Sequence, residues 1–156
     1  MSKNIKNLNS VQGTELLNKF EVTCYNNFEF VGIMPFINVF KGISKLSWDD
    51  KISSLRKTKN SGKDCSAIKR ALPAFTPCAT FNRERKLNHL ITYNQIIMVD
   101  FDHVLANIEE DCPIVKVVKE DPHTFCSFIS PSGDGIKILV RVNSTLKYHQ
   151  NAFYQV

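Results

Sequence analysis

Two aspartates separated by one residue follow an apolar segment near the middle of the chain. Residues 96–99 are Ile-Ile-Met-Val, and they lead directly into Asp100, Phe101 and Asp102. Because successive side chains of a strand point to opposite faces, a strand here places both carboxylates on one side and Phe101 on the other. Such neighbouring carboxylates repel unless water or a cation offsets the repulsion. The spacing predicts a site for Mg²⁺ or Mn²⁺, and the alternative is a pair of solvated aspartates at a strand end.

A turn of small residues supplies the second chemical motif. Residues 130–135 are Ser-Pro-Ser-Gly-Asp-Gly, and Lys137 follows between Ile136 and Ile138. Glycines let backbone amides approach a ligand closely, hydroxyls can donate, and Lys137 must point away from its two apolar neighbours. The pattern is typical of a phosphate cradle, although a simple hairpin turn has the same composition. The predicted nucleotide-binding residues are Ser130, Ser132, Gly133, Gly135 and Lys137.

The positive charge of the chain is concentrated in its middle. The net charge is +5, but residues 41–95 carry 12 Lys and Arg against 4 acids, whereas residues 96–156 carry 5 against 8. A cationic middle favours contact with a phosphate backbone, and a solvated basic face is the alternative. The predicted nucleic-acid contacts are Arg56, Lys57, Lys59, Lys63, Lys69, Arg70, Arg83, Arg85 and Lys86.

Three helices are predicted ahead of the strands that carry these motifs. Apolar residues at helical spacing over positions 36–43, preceded by Pro35, indicate the first helix. Residues 47–50, Ser-Trp-Asp-Asp, resemble a capping box and predict a second helix that ends near residues 59–62. A third, over residues 65–72, should stop before Pro73.

Strands are predicted over residues 21–25, 74–81 (broken), 95–101, 125–129 and 136–142. The last two are joined by the small-residue turn and most simply form an antiparallel hairpin. A short helix is expected over residues 104–112 and the start of another over 148–155, while 114–118 is ambiguous. The predicted fold class is α+β, with a mixed, largely antiparallel sheet on which the N-terminal helices pack.

Length and composition favour a single cytoplasmic domain. A chain of 156 residues with 43% hydrophobic content suits one core, expected over residues 13–156 after a flexible segment at 1–12. No apolar run approaches the ~20 residues that span a bilayer. Five scattered cysteines without a Cys-x-x-Cys pair suggest reduced thiols, and Cys126, within an apolar run, is predicted to be in the core.

Taken together, these motifs resemble a known family. Leu72-Pro73-Ala74, then Asp100-Phe101-Asp102-His103, Asp121-Pro122 and the segment from Phe128 to Lys137 look like the VirE N-terminal, or BT4734-like, domain over roughly residues 20–156. That family occurs in Bacteroidetes, often beside helicase-like or VirE modules on mobile elements, and is grouped with the archaeo-eukaryotic primase superfamily. The resemblance implies a primase-polymerase fold, nucleotidyl transfer in DNA replication, nucleoside triphosphates and single-stranded or template DNA as partners.

The sequence departs from the superfamily pattern in one important respect. The pattern requires a third acid on a later strand, yet no Asp or Glu follows Lys137, which itself stands where most of the superfamily has histidine. Two-metal nucleotidyl transfer usually needs a further carboxylate to bridge the ions. We therefore expect the domain to be incomplete at its C-terminus, truncated or degenerate, and inactive or nearly so by itself.

Two alternatives remain open at the level of sequence. Asp100 to Leu105 also fits the first motif of haloacid-dehalogenase-like phosphatases, with Asp100 as nucleophile, Asp102 as general acid/base, Ser130 holding phosphate and Lys137 stabilising charge. Only 54 residues follow Asp102, which is short for the βα units that fold needs. The other alternative is a non-catalytic module that binds single-stranded nucleic acid through the basic middle.

Overall fold

The structure, a computed structural model, describes residues 17–45, 47–105 and 113–156. The strands are β1 (Glu21–Asn26), β2 (Glu29–Pro35), β3 (Ala74–Thr76), β4 (Ala79–Phe81), β5 (Leu90–Tyr93), β6 (Ile96–Phe101), β7 (Thr124–Ile129) and β8 (Ile136–Arg141). The α-helices are α1 (Phe36–Ser44), α2 (Asp49–Asn60), α3 (Ser66–Arg70), α4 (Pro113–Glu120) and α5 (His149–Phe153), and Leu87–His89 and Leu146–Tyr148 are 3₁₀ turns. The predicted α+β class is confirmed.

The strands form three small antiparallel sheets rather than one. Their orders are β2-β1-β3, β4-β5 and β6-β8-β7. In the third sheet, β8 is central and pairs antiparallel with both β6 and β7. The hairpin predicted for the two strands around the small-residue turn is therefore confirmed. The turn between β7 and β8 lies at the same end of the sheet as the C-terminus of β6, because Phe101 pairs with Ile136.

An aromatic core joins α1 to this third sheet. Phe36 is fully buried, and its ring centroid lies 5.1 Å from that of Phe20, 5.6 Å from Phe75 and 6.2 Å from Phe125. Buried residues of all three strands, including Cys126, belong to the same cluster. Packing of an N-terminal helix on the sheet, and the burial of Cys126, are thereby confirmed.

The opposite face of the third sheet is covered by α4. Ile136, Ile138 and Val140 alternate along β8 and pack with Val115 and Val118 of the helix. Strand alternation thus sends one set of β8 side chains to α4 and the other set, including Lys137, to the face nearer α1. Burial on both faces makes this sheet the rigid support for the residues at its edge.

Several local expectations differ from the structure. Helix α2 forms as predicted, but its N-cap is Trp48 and no side chain caps it, so the capping box is wrong. Residues 114–118 are helical, whereas β2 and β5 were not predicted. Val104 and Leu105 are not helical, and the rest of the helix expected at 104–112 lies outside the described residues, as does the segment 1–12. No helix in the described part of the chain is long and apolar enough to cross a membrane.

Candidate functional site

An ion pair stands where the sequence predicted a metal site. Asp100 of β6 lies directly opposite Lys137 of β8 in the strand register, and the Lys137 ammonium donates to the Asp100 carboxylate. The Asp100 side chain is 39% exposed and the Lys137 side chain is 22% exposed. Because Ile136 and Ile138 are buried on the other face, strand alternation directs Lys137 to this pair. The lysine therefore neutralises the charge of Asp100.

Asp102 lies just beyond the strand. Strand β6 ends at Phe101, and Asp102 is an exposed residue of the following turn. Strand alternation therefore applies to Asp100 and Phe101 but does not set the direction of Asp102. Phe101 lines the opposite side of the sheet with Val99 and Ile138, as predicted. Among the described residues, no three His, Cys, Asp or Glu side chains are grouped so as to hold a metal.

The small-residue turn satisfies its own hydrogen bonds. The buried Ser130 hydroxyl accepts from the Gly135 N–H at 3.2 Å and shares a hydrogen bond with the Ser132 hydroxyl at 2.9 Å. Gly133, at a φ of +87°, donates its N–H to the Ser130 carbonyl at 2.9 Å. The amides and hydroxyls predicted to cradle phosphate are thus engaged with one another in this conformation.

Gly135 brings the turn against the end of β6. A Cβ atom at this position would lie 2.7 Å from the Phe101 carbonyl oxygen and 3.3 Å from Cα of Asp102. The Leu105 N–H also donates to the Asp134 carbonyl at 2.9 Å, which ties the segment after the aspartates to the turn. The two predicted motifs, 28 or more residues apart in sequence, are therefore in direct backbone contact.

Two cations of α2 hold the turn from the other side. Arg56 donates through Nε to the Pro131 carbonyl at 3.1 Å, and Lys59 lies 2.5 Å from the Asp134 carboxylate. His103 also contacts Asp134, at 2.6 Å. The hydrogen bond from Lys59, helped by those from Ser132 and His103, holds the Asp134 pKa well below its usual range despite partial desolvation. Arg56 and Lys59, which the sequence predicted as nucleic-acid contacts, connect α2 to the predicted nucleotide motif.

The other predicted basic contacts lie in two places. Lys57, Lys63, Lys69 and Arg70 are exposed on α2, on α3 or between them. The loop between β4 and β5 carries the rest: Arg83 is exposed, Arg85 lies 5.8 Å above the Tyr25 ring, and Lys86 pairs with Glu84 at 2.5 Å. The α2–α3 group is adjacent in structure as well as in sequence.

A cleft that the sequence did not reveal borders the ion pair. It has a volume of about 680 Å³ and is lined by residues of α1, α2, β1, β2, β3 and the third sheet. Most of the lining is apolar, including Met34, Ile43, Trp48, Phe75, Met98 and Phe128, whereas Arg56 and Lys137 are cations in its wall. One signal was present in the sequence: Met98, two residues before Asp100, must share its face of the strand.

Tyr25 of β1 has a hydroxyl without a hydrogen-bond partner, but its ring points away from the cleft. The residue is 7% exposed, and its hydroxyl is one of two buried side-chain polar atoms in the described residues that have no hydrogen-bond partner. Tyr25 pairs with Ala74, whereas Cys24 pairs with Phe75 of the aromatic core, so strand alternation directs the Tyr25 ring to the other face of the first sheet, where Arg85 lies 5.8 Å above it. Burial raises the Tyr25 pKa, an effect that the nearby Arg85 charge opposes.

Comparison with known proteins identifies the family of the segment that carries most of this site. The family model described as "BT4734-like, N-terminal domain" matches residues 67–154, just over half of the chain. The matched range contains Asp100, Asp102, the turn and Lys137, but it begins after α2. No curated protein and no solved structure matches the chain.

Proposed function

Since the chain belongs to the BT4734-like N-terminal domain family, we propose that it is a nucleic-acid-associated domain related to primase-polymerases, binding a nucleotide with a divalent metal at Asp100 and Asp102. The observation that carries this proposal is the Asp100–Lys137 pair at the edge of a cleft. It combines a metal ligand and a phosphate-binding cation on adjacent strands, at the end of the sheet where Asp102 also lies.

The donor set fits one metal ion that arrives with phosphate. Mg²⁺ is commonly held by one or two carboxylates, with substrate phosphates and water completing the shell. Asp100 and Asp102 are the carboxylates we assign to it. Such an ion would neutralise phosphate charge. Because Lys137 already holds Asp100, a cation must compete with the ammonium, and phosphate offers that ammonium a new partner.

We expect these residues to bind without transferring nucleotides. Two-metal displacement requires carboxylates that hold both ions, and no group of three potential ligands occurs in the described residues. A domain with two such acids can position a nucleotide and its metal while lacking the means to activate an attacking hydroxyl.

The exposed cations of α2 and α3 support nucleic-acid binding. Lys57 follows Arg56 of the cleft wall on α2, and Lys69 and Arg70 precede Leu72 and Pro73, which also line the cleft. Lys63 lies between the two helices. Contacts of this kind add affinity that is independent of sequence, because each neutralised phosphate releases counterions. A single strand passing this face would have its backbone near the proposed nucleotide site.

Metal and nucleotide binding test the proposal directly. Free Mn²⁺ is followed by electron paramagnetic resonance, with ATP binding measured by calorimetry. Asp100→Asn with Asp102→Asn should weaken Mn²⁺ binding about tenfold or more, while Glu120→Gln, on exposed α4, should not. Equal Mn²⁺ affinity in the double variant and the native protein would overturn the ligand assignment.

Lys137→Met is a more specific test, because it should change the affinity for Mn²⁺ and the affinity for ATP in opposite directions. Removal of the competing ammonium should tighten binding of Mn²⁺ alone and weaken binding of ATP. Lys147→Met, at an exposed lysine in a 3₁₀ turn, is the matched control and should change neither. A loss of both affinities would indicate that Lys137 is only a structural partner of Asp100.

Nucleic-acid binding is tested by its dependence on salt. Fluorescence anisotropy with a labelled single strand should show that the affinity falls steeply as the NaCl concentration rises. The slope of the logarithm of the binding constant against the logarithm of the NaCl concentration should become shallower by about 0.7 for each phosphate contact removed. Replacing Lys57, Lys63 and Lys69 by Ala should reduce the slope, unlike replacement of Lys116 and Lys119 on α4. Absence of binding even at low salt would contradict the proposal.

Single-strand binding without a nucleotide or metal site is the second candidate, and it is favoured because the described residues contain no group of three potential metal ligands. In that case the Asp100→Asn, Asp102→Asn variant would retain full single-strand affinity, and neither Mn²⁺ nor ATP would bind. No observation favours the phosphatase alternative. The strand carrying Asp100 is paired antiparallel, whereas that fold is built from parallel βα units.

A further inference from the structure

The cleft beside the Asp100–Lys137 pair has the size and lining of a small-molecule site. Its volume of about 680 Å³ falls within the range of roughly 300–1,000 Å³ typical of ligand pockets. Such pockets are mainly apolar, with a few polar groups that orient the ligand. Here the apolar walls come from two helices and five strands, and the charged groups include Lys137 and Arg56.

The position of Lys137 connects the cleft to the proposed phosphate site. Lys137 lines the cleft and donates to Asp100, so its ammonium lies between the two regions. Met98 and Phe128 lie next to this pair on the same face of the sheet and belong to the cleft wall. A ligand whose anionic group contacts Lys137 therefore has its remaining atoms beside an apolar surface.

The aromatic residues of the wall favour a flat, heteroaromatic group. Trp48, Phe75 and Phe128 line the cleft, and base–aromatic stacking contributes about 1–3 kcal/mol per base. Trp48 packs so closely on α1 that a Cβ atom at Gly42 would lie 2.6 Å from the indole ring. The indole therefore packs directly against α1 as part of the wall.

We infer that this cleft binds the base of the nucleotide whose phosphates contact Lys137. The inference rests on the proposed nucleotide binding at Asp100 and Asp102, and it adds the position of the base and the residues that recognise it. Trp48, Phe75 and Phe128 contact the ring, and Lys137 contacts the phosphates attached to the same nucleoside.

Trp48 provides the assay because it is the single tryptophan of the chain. Its fluorescence is followed during titration with MgATP, with adenosine and with magnesium tripolyphosphate, and calorimetry measures the affinity of each. MgATP and adenosine should change the Trp48 emission, whereas tripolyphosphate should bind without changing it. Adenosine should bind more weakly than ATP, since it makes no contact with Lys137.

One variant and its control test the wall residues. Phe128→Leu removes an aromatic ring from the face of the third sheet that carries Lys137, and it should weaken adenosine binding about fivefold or more while leaving tripolyphosphate affinity unchanged. Phe153→Leu, at an exposed ring, is the control and should change neither affinity.

The three ligands separate failure of this inference from failure of the proposed function. Binding of tripolyphosphate and ATP with equal affinity, without a change in Trp48 emission, would overturn the base site and leave the metal–phosphate site standing. Binding of adenosine that Phe128→Leu weakens, without any binding of tripolyphosphate, would support the base site and overturn the phosphate site. No binding of adenosine or ATP at millimolar concentration would overturn both.

Discussion

Gly135→Ala should disturb the two motifs of the site at the point where they touch. The added methyl would lie 2.7 Å from the Phe101 carbonyl oxygen, 3.1 Å from the Ser130 hydroxyl and 3.3 Å from Cα of Asp102. Gly135 is not among the residues with positive φ, so alanine causes no backbone strain of its own. The effect is therefore a steric one, directed at the strand end that carries both aspartates.

The free-energy cost of the substitution depends on how far the turn and β6 must separate. An ordinary Cβ contact lies at 3.4–4 Å, so the turn and β6 must separate by about 0.7 Å or more. Overpacking of this kind typically costs about 1–3 kcal/mol. For a domain of this size, each kcal/mol lowers the melting temperature by about 3 °C, which gives an expected drop of about 3–9 °C. The separation should also weaken Mn²⁺ binding by shifting Asp102 relative to Asp100.

Circular dichroism during heating and a Mn²⁺ titration measure the two effects. Gly42→Ala is a matched control because its methyl would also meet an atom closer than 3 Å, at 2.6 Å, but that atom is the edge of the Trp48 indole. The side chain can move, and alanine favours the helix by about 1 kcal/mol, so stability should change little while Trp48 emission shifts. A Gly135→Ala protein with an unchanged melting temperature and Mn²⁺ affinity would refute the close contact between the turn and β6.

Three further substitutions test the packing and electrostatics around the site. Phe36→Ala, at a fully buried ring, should lower the free energy of unfolding by about 3–5 kcal/mol in urea denaturation. Thr23→Val should cost about 1–3 kcal/mol by the same measurement, because its hydroxyl accepts from the Phe81 N–H at 2.7 Å and the amide would lose its partner. Asp134→Asn should lower the free energy of unfolding at neutral pH and make that free energy depend less on pH in acid. A carboxyl whose pKa is lowered by folding stabilises the protein above its unfolded pKa of about 4. That contribution is lost as the pH falls towards the folded pKa. The contribution is about 1 kcal/mol for a partly exposed pair, and equal acid-unfolding profiles for the two proteins would contradict it.

The sequence determined the local elements that carry the site. Apolar residues at helical spacing after Pro35 predicted α1, and the run before Asp100 predicted β6, because the periodicity of side chains depends only on neighbouring residues. The same alternation predicted that Lys137 lies on the face of β8 opposite to Ile136 and Ile138. The composition of the turn predicted the β7–β8 hairpin. The capping box failed because a Ser-x-x-Asp pattern allows a hydrogen bond without requiring it, and α2 starts at Trp48 instead.

Only the tertiary structure decided which distant groups meet. The cross-strand register brings Lys137 to Asp100, and folding of α2 onto the turn joins Arg56 to Pro131, 75 residues away. The cleft likewise exists only where two helices and several strands come together, so no local pattern marks Phe75 or Trp48 as its wall. Periodicity specifies the face on which a side chain lies, whereas its partner depends on the packing of elements far apart in the chain.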